Sequence, residues 1–130
     1  MNVRFWGVRG STAWSTAQSS GVGCNTSCLE ITDDRTGATL ILDAGSGLFG
    51  LGRQMAGTPR RLPILLTHYH WDHLVGLPLF APLYRRDWTV SIYGPQLGMN
   101  DARAILQMFE SPFYSVPREA LSVPAIHTMA

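Results

Sequence analysis

Histidine and aspartate side chains are concentrated in one short stretch of this 130-residue chain. Residues 68–73 have the sequence HYHWDH, which holds three of the four histidines and begins one residue after the apolar residues 62–66. Imidazole and carboxylate groups together suit zinc, iron or manganese better than calcium or magnesium. The stretch therefore predicts a metal centre and a hydrolytic metalloenzyme.

The spacing of the donors divides the motif into two pairs. Alternate side chains of an extended segment share a face, so His68 and His70 can converge on one ion. Asp72 and His73 follow where the chain turns toward a helix, and they can approach a second ion a short distance away, as two-metal hydrolases require. An ordinary alternative is that Asp72 caps the start of that helix and that the histidines are surface residues.

This motif and three further stretches of the sequence resemble a known superfamily. The metallo-β-lactamase-fold hydrolases carry the signature H-x-H-x-D-H, which His68, His70, Asp72 and His73 match residue for residue. Three further stretches are similar to the branch that contains cyclic-nucleotide and cyclic-phosphate phosphodiesterases and tRNA 3′-end endonucleases. They are VRFWGVRGS at 3–11, CNTSC at 24–28 and LILDAGSG at 40–47.

The resemblance implies an α/β fold, specifically half of an αβ/βα sandwich with a mixed sheet and flanking helices. It also implies two divalent metal ions, with zinc expected and manganese or iron as alternatives, held by His68, His70, Asp72 and His73. Asp72 would serve as ligand and electrostatic anchor in catalysis. The first acid of the family falls on Asp43, which would orient the metal-binding loop without being a ligand. The alternative for Asp43 is a plain turn, since DAGSG is good turn chemistry.

The chain also departs from the family pattern. The superfamily completes its site with a further histidine, a bridging aspartate and a final histidine, but here only His127 follows the motif and no aspartate follows Asp101. His127 is interpreted as an ordinary strand or tail histidine. Catalytic zinc normally has three protein ligands and a water molecule, so each pair of donors is one short. We therefore expect residues 1–130 to be a single domain, incomplete at its C-terminus, that self-associates or binds a complementary chain.

The resemblance implies hydrolysis of a small phosphodiester, a cyclic nucleotide or cyclic phosphate, by water activated between two ions. Two alternatives stay open. One is a metal-binding or interaction domain that does not turn over substrate, and the other is a nuclease like the tRNA 3′-end endonucleases. A net charge of +1 does not indicate nucleic-acid binding, and the chain has no long basic segment.

Composition gives few further constraints. Forty-five per cent of the residues are hydrophobic, which is enough for one core. The polar start and the absence of a long apolar run predict a cytoplasmic protein without a membrane span. Cys24 and Cys28 are then expected to be reduced, small, buried hydrophobic residues.

Strands and helices are predicted to alternate along the chain. Hydrophobic patterning predicts strands at residues 2–6, 28–32, 39–43, 62–67 and 89–93, and helices at 47–56, 72–84 and 99–109. Pro78 and Pro82 limit the regularity of the second helix. Residues 10–23 are predicted to form a loop, and the aromatic residues Phe113 and Tyr114 are interpreted either as a cover over a substrate or as anchors against the domain.

Overall fold

The computed structural model describes residues 1–19, 21–55, 61–112, 114–122 and 125–129. Six strands form one mixed sheet in chain order. They are β1 (Asn2–Gly7), β2 (Cys28–Thr32), β3 (Thr39–Leu42), β4 (Arg61–Leu65), β5 (Thr89–Pro95) and β6 (Ala125–Met129). β1, β2 and β3 are antiparallel, whereas β3 to β6 run parallel. The predicted α/β class is confirmed, and all five predicted strands are present.

Helical structure is shorter than the sequence predicts. One α-helix, α1 (Gly47–Gln54), follows the turn after β3, and residue 56 of the predicted helix lies outside the described residues. Six 3₁₀ segments complete the helical structure described: Ala17–Ser19, Trp71–His73, Leu77–Leu79, Ala81–Tyr84, Ala102–Phe109 and Arg118–Ala120. The prediction of one helix over 72–84 is wrong. Pro78 and Pro82 lack the N–H group that a continuous helix would need, so the chain forms three separate turns there.

The predicted helix over 99–109 is a 3₁₀ segment that begins at Ala102. The Asp101 carboxylate caps it by accepting a hydrogen bond from the Arg103 N–H (2.8 Å). Ile105 and Phe109 are buried in the core. This segment therefore contributes two buried side chains to the core.

The two faces of the sheet differ in burial. One face, the covered face, contains Cys28, Ile41, Leu62, Ile64, Val90 and Ile92, which are all at most 3% exposed. Leu48 and Leu51 from α1 pack against it, together with Phe80, which lies between two 3₁₀ segments. The hydrophobic effect of this burial supplies the main stabilisation of the fold.

The opposite face of the sheet, the open face, carries side chains that the described residues leave partly or fully exposed. The strand registers place these on it: Val3, Phe5, Leu29, Ile31, Leu40, Leu42, Pro63, Leu65, Ser91, Tyr93, Ala125, His127 and Met129. Phe5 is 64% exposed at one edge. The centre of the open face is apolar, and the charged residue Arg61 lies at its margin.

The two cysteines lie in different surroundings. Cys28 is fully buried on β2, as predicted, and burial raises the pKa of its thiol to about 12. The prediction is wrong for Cys24, which is only partly buried in the loop before β2, with its sulfur 3.6 Å from the Ser19 hydroxyl. Both thiols are free. Among the described helices, none is both long and apolar enough to span a bilayer.

Candidate metal centre

The sheet brings the acid after β3 next to the motif after β4. β3 and β4 are parallel neighbours, with Leu42 paired to Leu65, and the Asp43 N–H donates to the Leu65 carbonyl (2.8 Å). Asp43 and the histidine motif therefore leave the sheet at the same edge, where the carboxyl ends of parallel strands meet. Asp43 adopts a positive φ of 59°, which aspartate tolerates better than most residues.

Asp43 is a buried carboxylate that organises the edge of the sheet. Its Oδ1 accepts hydrogen bonds from the N–H and the hydroxyl of Thr67 (both 2.9 Å). Its Oδ2 lies 2.9 Å from His73 Nδ1 and accepts a longer hydrogen bond from the Ser27 hydroxyl (3.3 Å). A buried carboxylate with this many donors is fully satisfied and holds them in place.

These contacts determine which ring nitrogens carry a proton. An ionised carboxylate only accepts, so His73 Nδ1 must carry the hydrogen that it shares with Asp43. The Thr67 hydroxyl gives its single hydrogen to Asp43, so it must accept from His68 Nδ1, 2.9 Å away. In both neutral rings Nε2 then keeps its lone pair. In this tautomer Nε2 is free to bind a metal ion while Nδ1–H is held by a hydrogen-bond acceptor.

The three imidazoles of the motif lie close together. The His68 ring centroid is 4.4 Å from that of His70 and 4.2 Å from that of His73. Burial, followed by repulsion from the charged forms of His73 and His70, lowers the pKa of His68 below its ordinary value. The fold therefore favours neutral His68, the protonation state in which imidazole is a ligand.

Asp72 is held by the loop that follows β1. Its Oδ2 accepts a hydrogen bond from the Ser11 N–H (2.8 Å), and this bond is the largest cause of the lowered pKa of Asp72. Asp72 does not cap the 3₁₀ segment Trp71–His73, whose N-cap residue is His70. The capping interpretation of Asp72 is therefore wrong. The carboxylate faces His73 instead, with Oδ2 3.4 Å from Nε2.

Backbone packing explains why small residues surround the motif. Ala44 donates to the His73 carbonyl (2.8 Å), and Gly76 donates to the Ala44 carbonyl (2.9 Å). A Cβ on Gly45 would overlap the Asp72 carbonyl, and one on Gly76 would overlap the Gly45 carbonyl. The turn after β3 thus fits directly against the histidine motif, which is more than plain turn chemistry requires.

The contributions of Thr67, Ser11 and Ser27 to the site were not predicted from the sequence, and one histidine lies apart. Thr67 had a signal, because a hydroxyl at the end of a strand immediately before the motif is well placed to bond an acid on the neighbouring strand. Ser11 had none, since it is 61 positions from Asp72. His127 stacks on Tyr93 across β5 and β6, with centroids 4.7 Å apart. That placement on the open face agrees with an ordinary strand residue.

Some features of this centre suit a bound metal ion and others do not. Among the residues that the structure describes, no three histidine, cysteine, aspartate or glutamate side chains are already arranged to hold an ion. The His70 ring stands at 78° to that of His68, and Trp71 beside it is exposed. However, the donor types, their proximity and the assigned tautomers suit zinc. Binding would require at least one of these side chains to reorient.

Comparisons with known proteins show no relative. No protein-family model matches the chain. No curated protein and no solved structure has significant similarity to it either.

The structure describes one of the two aromatic residues that were interpreted as a cover over a substrate or as anchors against the domain. Tyr114 is an anchor, because its hydroxyl donates to the Pro78 carbonyl and its ring meets Phe109 edge-on. Phe113 lies outside the described residues.

Proposed function

We propose that this chain is half of an αβ/βα sandwich of the metallo-β-lactamase-fold type, and that it takes part in metal-dependent hydrolysis of a small phosphodiester. His68, His70, Asp72 and His73 would hold two divalent ions, with zinc preferred over manganese or iron. The phosphodiester substrate is supported by the resemblance of residues 3–11, 24–28 and 40–47 to that branch of the superfamily.

One contact carries the metal proposal. His73 Nε2 and Asp72 Oδ2 face each other at 3.4 Å, while the proton of the neutral His73 ring is committed to Asp43. Two acceptors at this distance repel unless a positive charge lies between or beside them. That charge is either a second proton on His73 or a cation. The nearby His68 and His70 rings add nitrogen lone pairs that can bind a metal ion, which favours a cation over a second proton.

The protein residues have separate tasks in this proposal. Asp43 orients His73 directly and His68 through Thr67, and the Ser11 N–H holds the Asp72 carboxylate ionised and in position. Bound ions would polarise the phosphoryl oxygens and lower the pKa of water toward neutrality. Preorganised donors of this kind reduce the rearrangement needed when substrate binds.

The first experiment is metal stoichiometry on protein purified without chelator, together with hydrolysis of bis(4-nitrophenyl) phosphate. The wild type is compared with the His68→Ala/His70→Ala double variant and with His127→Ala as a matched control away from the cluster. About two ions per chain, lost only in the double variant together with chelator-sensitive hydrolysis, would support the proposal. Metal binding without hydrolysis would favour the non-catalytic binding domain, and equal metal content in all three proteins would refute the site.

The open face supports the half-sandwich and an additional layer over the sheet. An exposed apolar sheet face of this extent usually packs against another sheet about 10 Å away. Leu42 lies near its centre, flanked by Leu29 and Leu65. We expect the isolated chain to self-associate or to bind a complementary chain through this face.

Sedimentation velocity tests this expectation. Leu42→Lys should shift the chain toward monomer with unchanged circular dichroism, whereas Val22→Lys, in an exposed loop, should not. A clean wild-type monomer over the micromolar range would contradict self-association.

A further inference from the structure

A cavity of about 660 Å³ lies beside the histidine motif. Tyr69 and Trp71, which flank His70 in the sequence, both line it. The opposite wall comes from the 3₁₀ segment Ala102–Phe109 and includes Ala104, Ile105 and Met108. The volume falls within the range of small-molecule sites and is large enough for a one-ring or two-ring group.

The lining of this cavity lacks charge. None of its described lining residues is an acid, a base or a histidine. The hydroxyl hydrogens of Tyr69 and Tyr114 are not available to a ligand, since they are donated to the Pro95 and Pro78 carbonyls. An ionic group would lose its hydration here without gaining a counter-charge, so the cavity disfavours ions.

Two amides give the cavity a limited polar side. Asn100 and Gln107 line it, are solvent-exposed, and have no side-chain hydrogen bond within the described part of the chain. Trp71 is 60% exposed at the rim and offers a free aromatic surface. A flat apolar ring with one or two polar atoms at its edge would use all of these features.

We infer that this cavity binds an uncharged aromatic or apolar ring of a small molecule. Given the proposed function, on which this second step rests, the ring is the organic part of the phosphodiester, and its phosphoryl group lies at the histidine motif. The cavity would then select substrates by the apolar size of one ester group while the motif acts on the charged part.

Direct binding in the presence of EDTA tests the cavity separately from hydrolysis. The probes are 2-naphthol, which is uncharged at neutral pH, and 2-naphthoate, which has the same rings and a negative charge. We expect 2-naphthol to bind with a Kd of roughly 4 mM or below, as the binding energy per non-hydrogen atom typical of drug-sized ligands implies. It should bind at least about tenfold more tightly than 2-naphthoate, because none of the described lining residues carries a positive charge.

Filling the cavity should abolish this preference. Ala104→Trp should weaken 2-naphthol binding at least about tenfold, whereas Ala120→Trp, the same change at an exposed position outside the cavity, should leave it within about twofold. Trp71→Ala, which removes an exposed side chain and does not threaten folding, should weaken binding several-fold. Equal binding of the two probes, or unchanged binding in both Ala104→Trp and Trp71→Ala, would overturn the inference.

The outcome is distinguishable from that of the hydrolysis experiment. Binding of 2-naphthol without any phosphodiesterase activity would leave the cavity site standing and would count against the proposed function. Hydrolysis without 2-naphthol binding would do the reverse.

Discussion

The three histidines of the motif differ in how the fold supports them. His68 and His73 are partly buried, and Asp43 holds His73 directly and His68 through the Thr67 hydroxyl. His70 is exposed, and within the described residues its ring has no hydrogen-bond partner. The same residue type thus occurs three times within six positions in two environments.

Because of this difference, effects of substitutions on stability can be measured separately from effects on metal binding. Substituting an anchored histidine should disturb both the fold and any bound ion, because a buried partner is left unsatisfied. Substituting the exposed histidine should affect only the ion. Stabilities and metal affinities measured on the same variants can therefore show whether the comparison reflects a metal centre or only a local packing arrangement.

The largest effect is expected at the anchor itself. Asp43→Asn keeps the size of the side chain and tolerates the positive φ, but it replaces a charged acceptor with an amide that cannot serve the same donors. We expect the free energy of unfolding to fall by about 2–3 kcal/mol and zinc affinity to fall roughly 10- to 100-fold. Urea denaturation and competition with a zinc indicator measure the two quantities.

Asp34→Asn is the matched control for the anchor. The Asp34 side chain is 60% exposed beside the N-terminal amine, so its substitution should change stability by less than about 0.5 kcal/mol. Similar losses in the two variants would show that Asp43 is not a special anchor.

The next effect separates the two kinds of histidine. His73→Ala should lower the free energy of unfolding by about 1–2 kcal/mol, because Asp43 loses a partner. His70→Ala should change it by less than about 0.5 kcal/mol. Both should weaken zinc binding by more than the roughly tenfold loss typical of an outer-shell partner. Isothermal titration with zinc that gives wild-type affinity for His70→Ala would remove His70 from the ligand set.

A smaller effect is expected at the hydroxyl that connects Asp43 to His68. Thr67→Val preserves the shape of the side chain but removes the acceptor for His68 Nδ1, so the ring should populate both tautomers. Stability should fall by about 1 kcal/mol. Thr67→Ser retains the hydroxyl and should keep the wild-type tautomer. Nitrogen chemical shifts of the His68 ring report the tautomer, and unchanged shifts in Thr67→Val would refute the assigned network.

The smallest effect is the dependence of stability on pH. The pKa of His68 is lower in the folded chain than its ordinary value of 6.5, so the unfolded chain binds more protons at this position. The His68 contribution is therefore fully present above about pH 6.5 and is lost as the pH falls toward the lowered folded-state pKa. Denaturation of apo protein at several pH values should give a shallower slope for His68→Gln than for the wild type. An equal or steeper slope would contradict the stated shift.

Prediction from sequence succeeded where a local pattern determines the structure. The strand at 28–32 was predicted to the residue because alternating side chains and β-branched residues favour an extended segment with one buried face. It failed over 72–84, where apolar periodicity suggested a helix but two prolines interrupt the backbone hydrogen bonds. Both prolines are visible in the sequence, and their missing N–H groups outweigh the apolar periodicity.

The donor types, their spacing and the α/β alternation follow from local sequence, because they depend on residues that are close together along the chain. Which of these donors have partners depends on how the chain folds in three dimensions. Asp43 reaches His73 across 30 positions and Ser11 reaches Asp72 across 61, and both contacts depend on parallel strand pairing and loop packing. The same is true of the cavity beside Trp71 and of the open face, since burial is a property of the folded arrangement and not of any local stretch.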